Sequence, residues 1–151
     1  MEYPLLLVKI QRYCAYQERC SAEVIQKLHQ LGALKDDLKK ILHELKVNSF
    51  LNDERFAISY VESKFNQKKW GANKIALHLK QKGFSPEIIS KSLATISESD
   101  ISNTLSSLYE KKWASLSTEN NIIKRKQKTL RYLLSKGYTY NQLNSLLRLD
   151  D

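Results

Sequence analysis

Three of the four glycines in this chain occupy the same position in a repeated segment. Gly32, Gly83 and Gly137 each stand four residues after a leucine of an amphipathic run, and an apolar run resumes six residues after each glycine. The glycines lie 51 and 54 residues apart. A unit of about 50 residues that occurs three times is typical of a repeat array, in which neighbouring units bury each other's apolar faces.

Apolar residues within each unit recur at helical spacing, and no useful length alternates with period two. A glycine after each amphipathic run also suits the left-handed conformation in which many helices end. We therefore predict an all-α protein built of three tandem three-helix repeats, over residues 1–50, 51–98 and 99–151, in one continuous, elongated array. The polar residues 97–102 are the predicted boundary between the second and third repeats, and the curvature of the array is left open.

Capping residues predict several helix ends. We expect Ser21, Ser85 and Thr139 each to cap a helix, and Asn52 or Asp53 to cap the first helix of the second repeat. A helix of the third repeat is predicted to begin at Thr118-Glu119. Its predicted inward residues are Ile122, Ile123, Leu130, Leu133 and Leu134, and those of the last helix are Leu143, Leu146 and Leu147.

Positive charge is concentrated in two stretches of a chain whose net charge is +9. Residues 63–86 contain six lysines and no acid, and residues 111–136 contain eight basic residues against Glu119 alone. Such stretches favour a phosphate backbone or an acidic protein surface as partner, while the alternative is a solvated, lysine-coated exterior. The candidate binding residues are Lys64, Lys68, Lys69, Trp70, Lys74, Lys80, Lys82, Lys124, Arg125, Lys126, Lys128 and Arg131. Trp70, beside Gly71, is interpreted either as an exposed anchor or as a lock between two helices.

Other function classes find little support in the sequence. Cys14 and Cys20 have neither the spacing of a CxxC site nor that of an obvious bridge, which favours a reducing, cytoplasmic compartment. The three histidines are scattered, so we expect no metal site and no cofactor. The apolar patch 5–8 is too short to span a bilayer and lacks a signal-peptide cleavage site, so no membrane partner is expected.

Catalysis is not expected either. The chain has no GxSxG, HExxH, GxxxxGK[ST] or GxGxxG motif. Asp53 and Glu54 are the candidate acid pair, but neighbouring residues of a helix point about 100° apart, so helix capping explains them better. We therefore predict a protein that is not an enzyme and has no small-molecule substrate.

A resemblance to the RecX family of recombinase regulators is carried by Leu51-Asn52-Asp53-Glu54-Arg55-Phe56-Ala57, Lys69-Trp70-Gly71, Ile75 and Leu79-Lys80-Gln81-Lys82-Gly83. That family has an L-x-D-E-R-F-A segment and then a G-x-x-x-I helix that ends in L-x-x-K-G. The outer repeats are similar through Glu23-Val24-x-x-Lys27-Leu28 and Tyr132-Leu133-x-x-Lys136-Gly137-Tyr138. The resemblance covers nearly the whole chain, and its middle motif is the most specific part.

The resemblance implies a bacterial cytoplasmic modulator with three tandem three-helix repeats that binds the RecA nucleoprotein filament. Such a protein would lie in the helical groove of the filament and limit its growth, ATPase, strand exchange and coprotease activity, with consequences for DNA repair, recombination and the SOS response. The expected partners are therefore the filament, single-stranded DNA and, as a further candidate, double-stranded DNA.

Two other functions stay open from the sequence. An independent DNA-binding module would bind naked duplex with sequence dependence and a steep salt slope, since three-helix units can resemble helix-turn-helix domains. A helical scaffold for a protein partner would instead respond little to salt. Whether the chain inhibits or activates its target, its stoichiometry and its oligomeric state are also open.

Overall fold

The computed structural model describes residues 1–147, which fold into nine α-helices and contain no strand. The helices are α1 (Tyr3–Tyr16), α2 (Ser21–Gln30), α3 (Lys35–Val47), α4 (Asp53–Lys68), α5 (Ala72–Gln81), α6 (Pro86–Leu93), α7 (Glu98–Ser115), α8 (Ile122–Ser135) and α9 (Tyr140–Leu147). Helix packing is closest within α1–α3, within α4–α6 and within α7–α9. The prediction of an all-α chain of three-helix units is confirmed.

Each set of three helices surrounds its own apolar core. The central side chains of the three cores are Leu6, Ile10, Leu28 and Ile41 in the first, Phe56, Val61, Ile75 and Leu79 in the second, and Leu105, Leu133, Tyr138 and Leu143 in the third. Neighbouring sets also share residues. Cys20 packs into the second core, Leu51 packs into the first, and Ile101 packs against the second and the third. The array is therefore stabilised partly by side chains of one repeat that pack into the core of the next.

The repeated glycines end helices as the sequence predicts. Gly32, Gly83 and Gly137 have φ of +81°, +92° and +101°, a region that residues with a Cβ rarely adopt. Two predicted caps are also confirmed. The Ser85 hydroxyl accepts a hydrogen bond from the Ile88 amide at 3.3 Å, and the Thr139 hydroxyl accepts one from the Gln142 amide at 3.2 Å.

Two predicted helix starts need correction. Cys20, not Ser21, occupies the N-cap position of α2, so Ser21 is already helical. In the third unit α8 begins at Ile122 rather than at Thr118-Glu119, because the Asn121 side-chain oxygen accepts from the first free amides of the helix. The stretch 97–102, predicted as the boundary between the second and third repeats, is mostly helical, since Ser97 caps α7 by accepting from the Asp100 amide.

The predicted inward face of α8 is partly wrong. Ile122, Ile123 and Leu134 are 54%, 64% and 41% exposed, whereas Thr129 and Leu133 are fully buried. Leu134 lies about 100° around the helix from Leu133 and so faces away from the core. Leu130 and Leu146 pack against the third core and Leu143 is buried in it, as predicted. The predicted inward position of the Leu147 side chain lies outside what the structure describes.

Polar contacts join the first repeat to the second. The Asp53 carboxylate accepts hydrogen bonds from the Ser21 amide at 2.8 Å and the Ser21 hydroxyl at 2.6 Å. Arg55 forms an ion pair with Glu18 at 2.8 Å. Asp53 thus caps α2 of the neighbouring repeat, while Asn52 caps α4 by accepting from the Arg55 amide. Helix capping therefore explains Asp53, as the sequence predicts, but the helix that it caps belongs to the first repeat.

Both cysteines are free and buried. Cys14 lies in the first core and Cys20 in the second. Burial raises the pKa of both thiols above the ordinary value for cysteine. Both side chains are therefore uncharged packing residues at neutral pH.

Candidate nucleic-acid interface

The two basic stretches meet where the loop after α4 docks on the end of α8. The Gly71 amide donates to the Lys136 carbonyl at 2.7 Å, and the Asn73 amide donates to the Gly137 carbonyl at 2.9 Å. A Cβ at Gly71 would lie 2.6 Å from the backbone of Gly137, and a Cβ at Gly137 would collide with the Lys74 side chain. The absence of side chains at both glycines therefore permits the contact.

Two lysines at the end of α4, Lys68 and Lys69, have backbone carbonyls that accept hydrogen bonds from the third repeat. Lys69 ends α4 in the left-handed conformation, with φ of +59°, and its carbonyl accepts from the Tyr138 hydroxyl at 2.9 Å. The carbonyl of Lys68 accepts from the Lys136 ammonium at 3.3 Å. Both lysine side chains are exposed, so they present charge at the line where the repeats meet.

Trp70 lies between two lysines at this junction. Its ring centroid is 5.2 Å from the Lys64 ammonium and 4.7 Å from the Lys74 ammonium, and the His78 ring lies 4.6 Å away. The indole is half-buried and packs against the second core, which supports the interpretation of Trp70 as a lock between helices. The cation–π contacts orient both lysines across the remaining ring surface.

Tyr60 extends the basic surface along the second repeat. The ammonium groups of Lys64 and Lys82 lie 5.4 and 5.8 Å from its ring centroid. Lys80 is exposed in the last turn of α5, and Lys82 follows directly after that helix. The candidate lysines of the second repeat thus lie in and around α4 and α5.

A groove between α7 and α8 carries the basic surface into the third repeat. It has a volume of about 380 Å3 and is lined by Lys112, Leu116, Lys128, Arg131, Tyr132 and Ser135. The Tyr132 ring lies 4.9 Å from the Lys112 ammonium and 5.8 Å from that of Lys136. Lys128 forms an ion pair with Glu119 at 2.8 Å, and this hydrogen bond is the main cause that lowers the pKa of the glutamate.

The candidate residues of α8 do not act as one cluster. The Arg125 side chain donates to the Trp113 carbonyl from Nε at 3.2 Å and from a terminal nitrogen at 2.7 Å, and it lies over the Trp113 ring. It therefore fastens α8 to α7. Lys124, Lys128 and Arg131 follow helical spacing along one side of α8, whereas Lys126 is turned about 200° from Lys124.

Sequence reasoning missed three contributors to this surface. Lys112 and Lys136 lie within the second basic stretch but are not among the candidate binding residues, and neither is Tyr60. Tyr60 stands four residues before Lys64 and Lys136 five residues after Arg131, so their proximity to candidate residues is visible in the sequence, whereas Lys112 lies on α7, 12 residues before Lys124. Their convergence depends on the Gly71–Gly137 contact, which joins positions 66 residues apart.

Residues 1–147 contain no group of three or more His, Cys, Asp or Glu side chains that could hold a metal ion. None of the helices within this range is long and apolar enough to cross a membrane.

Comparisons with known proteins point to one family. Residues 52–93 match a family model described as the second three-helix domain of RecX, and residues 98–147 match one described as its third three-helix domain. Regulatory protein RecX from Clostridium perfringens is 37% identical over 127 residues, which are 83% of this chain and 59% of that protein. Regulatory protein RecX from Bacillus licheniformis is 29% identical over 142 residues, 92% of this chain and 52% of that protein. The chain thus spans between half and three fifths of these relatives.

A solved structure has the same fold. The crystal structure of RecX from Lactobacillus salivarius is 26% identical and superposes with a TM-score of 0.88, over 96% of this chain and 94% of that one. The two family models together match more than half of the chain, in the order and at the positions of the α4–α6 and α7–α9 units. The chain therefore belongs to the RecX family.

Proposed function

We propose that this chain is a regulator that binds the nucleoprotein filament of a RecA-type recombinase and limits its activity without catalysing a reaction. The relatives are named regulatory proteins, and their resemblance to this chain supports the assignment. The observation that carries the proposal is the convergence of two basic stretches on one surface across the second and third repeats. Such a surface suits a filament, which presents DNA phosphates beside a protein surface.

The proposal includes the organisation and setting of the chain. Residues 1–50, 51–98 and 99–151 are taken as three repeats of one array that lies along the filament groove. The setting is the bacterial cytoplasm, in DNA repair, recombination and the SOS response. Inhibition is the favoured direction, and limited filament growth, ATPase, strand exchange and coprotease activity are its expected consequences.

Fluorescence anisotropy distinguishes the proposal from its alternatives. The chain is titrated over one salt series against single-stranded DNA, duplex DNA, and single-stranded DNA coated with RecA and a non-hydrolysable ATP analogue. Preference for the coated strand supports the filament regulator, and a recombinase ATPase assay then gives the direction of regulation. Equal or tighter binding to bare DNA would indicate a nucleic-acid module instead. Affinity for the coated strand that does not change with salt would indicate a helical scaffold.

Charge reversal tests the basic surface. We expect Lys68, Lys69, Lys124 and Arg131, changed together to Glu, to weaken filament binding by at least about tenfold, because four attractive charges become repulsive. The matched control changes four exposed lysines outside this surface, Lys9, Lys39, Lys46 and Lys91, to Glu. Equal binding by the two variants, both helical by circular dichroism, contradicts the site assignment.

A further inference from the structure

A second groove crosses the junction between the second and third repeats. It has a volume of about 210 Å3 and is lined by Lys69, Asn103, Thr104, Ser107, Leu108 and Lys111. Lys69 comes from the docked loop after α4, and the other residues come from one side of α7. The groove thus exists only because the two repeats meet.

The backbone of Lys69 is held in position for this groove. A left-handed φ in a residue with a Cβ costs about 1–2 kcal/mol. The buried hydroxyl of Tyr138 holds the conformation by donating to the Lys69 carbonyl at 2.9 Å. Because burial raises the pKa of Tyr138 to about 12, this hydroxyl keeps its proton at neutral pH.

The lining of the groove has the chemistry of an oxyanion site. Two lysines supply positive charge, while the short side chains of two hydroxyl residues and one asparagine supply neutral hydrogen-bond donors. No carboxylate is among the lining residues. The volume is below the range of about 300 Å3 and above in which whole small-molecule ligands bind, so it suits a single group of a longer molecule.

We propose that this junction groove binds a phosphodiester group of a nucleic-acid strand, with Lys69 and Lys111 as its charged contacts and Thr104, Ser107 and Asn103 as its neutral donors. The choice of a nucleic acid rests on the proposed function, because the recombinase filament contains a DNA strand. A strand bound here touches both repeats at once, so it also holds the junction closed. Lys111 and the three polar residues of α7 thereby join the basic surface.

Salt-dependent binding of a fluorescein-labelled single-stranded oligonucleotide tests the groove. Loss of one phosphate contact makes the negative slope of log affinity against log salt shallower by about 0.7. At 0.1 M salt this change corresponds to about fivefold weaker binding. We expect this result for Lys111→Gln. Lys39→Gln makes the same charge change on an exposed lysine of the first repeat, and we expect its affinity to fall by less than about twofold.

The double variant Thr104→Val/Ser107→Ala separates a built site from general attraction. It removes two donors and no charge, so affinity should fall about three- to tenfold while the salt slope stays unchanged. If Lys111→Gln behaves like Lys39→Gln, or if the double variant binds like the wild type, the proposed site is wrong. Circular dichroism confirms that each variant is folded.

The same variants separate this proposal from the filament function. A chain that binds the RecA-coated strand but whose bare-strand affinity is insensitive to Lys111→Gln keeps its proposed function and loses the groove. A chain that ignores the coated strand but shows both expected effects on the bare strand keeps the groove and loses the filament function.

Discussion

Tyr138 supplies a buried side-chain hydrogen bond to the junction between the second and third repeats. Its side chain is 1% exposed, and its hydroxyl donates to the carbonyl of Lys69 at 2.9 Å. Burial is the main cause that raises its pKa to about 12, with a smaller contribution from Tyr132. A neutral phenol therefore holds the left-handed lysine, and ionisation of that phenol would turn a donor into a buried anion.

The stability of Tyr138→Phe relative to the wild type should change sign with pH. Below pH 10 the variant lacks one hydrogen bond and should be less stable by about 1 kcal/mol. The phenol pKa is raised in the folded chain from 10.0 to about 12. The stabilisation from this group is therefore complete below pH 10 and is lost as the pH rises through 12. Two pKa units correspond to a loss of about 3 kcal/mol in the wild type, which is absent from the variant.

Urea unfolding curves of both proteins, recorded between pH 8 and pH 12 at intervals of about one pH unit, give the difference in their free energies of unfolding. The other tyrosines and the lysines titrate in both proteins, so they cancel in the difference. A difference in free energy of unfolding that stays constant over this range would show that Tyr138 is not buried as described.

At the scale of helices, the N-terminus of α2 is capped by a residue of the neighbouring repeat. Its first amide and the Ser21 hydroxyl both donate to Asp53, which stands at the start of α4. A carboxylate beside a helix N-terminus satisfies free amides and interacts favourably with the helix dipole. The Asp53 side chain thus caps the N-terminus of α2 and links the first repeat to the second.

Asp53→Ala should lower the free energy of unfolding by about 1–2 kcal/mol, the usual range for a lost cap. Glu54→Ala, at the exposed neighbouring position, is the control and should change it by less than about 0.5 kcal/mol. A double-mutant cycle with Ser21→Ala should give a coupling energy of about 0.5–1 kcal/mol, because the serine amide remains as a partner. Equal costs for the two acidic positions would mean that Asp53 caps only its own helix or none.

The sequence predicts the number of helices correctly, but it predicts their ends and their buried faces less well. Glycine at a left-handed end and serine or threonine at a cap are local signals, so Gly32, Ser85 and Thr139 were interpreted correctly. The face of α8 depends on tertiary packing instead. Its first turn is fastened by Arg125 on Trp113, which leaves Ile122 and Ile123 exposed although both are apolar. A basic residue with a packing role gives no separate signal in the sequence.

At the scale of the whole molecule, the two repeat junctions are built differently. The first is made by side chains, through Asp53 and the exposed ion pair of Arg55. The second is made largely by backbone groups around Gly71 and Gly137. The sequence predicts that a helix ends at Gly137, but hydrophobic periodicity carries no information about which loop touches that end. The basic stretches were therefore predicted as two surfaces, while the structure joins them.

Gly71→Ala should open the second junction. The φ of Gly71 is −83°, which any residue adopts, so the substitution adds only a methyl group that would lie 2.6 Å from the backbone of Gly137. Since neither backbone can yield without a shift of the repeats, we expect a loss of about 1–3 kcal/mol in the free energy of unfolding, as for overpacking. The neighbouring Trp70 should also change its fluorescence, because its lysine contacts depend on the docked loop.

Gly32→Ala is the matched control, because it makes the same substitution where no atom lies within 4 Å of the added methyl group. Its φ of +81° still costs about 1–2 kcal/mol, so both variants lose stability. Only Gly71→Ala should alter Trp70 emission and weaken binding to the RecA-coated strand, because only it separates the two halves of the basic surface. If both variants lose stability but neither loses binding, the two basic stretches act independently and the junction is merely a packing contact.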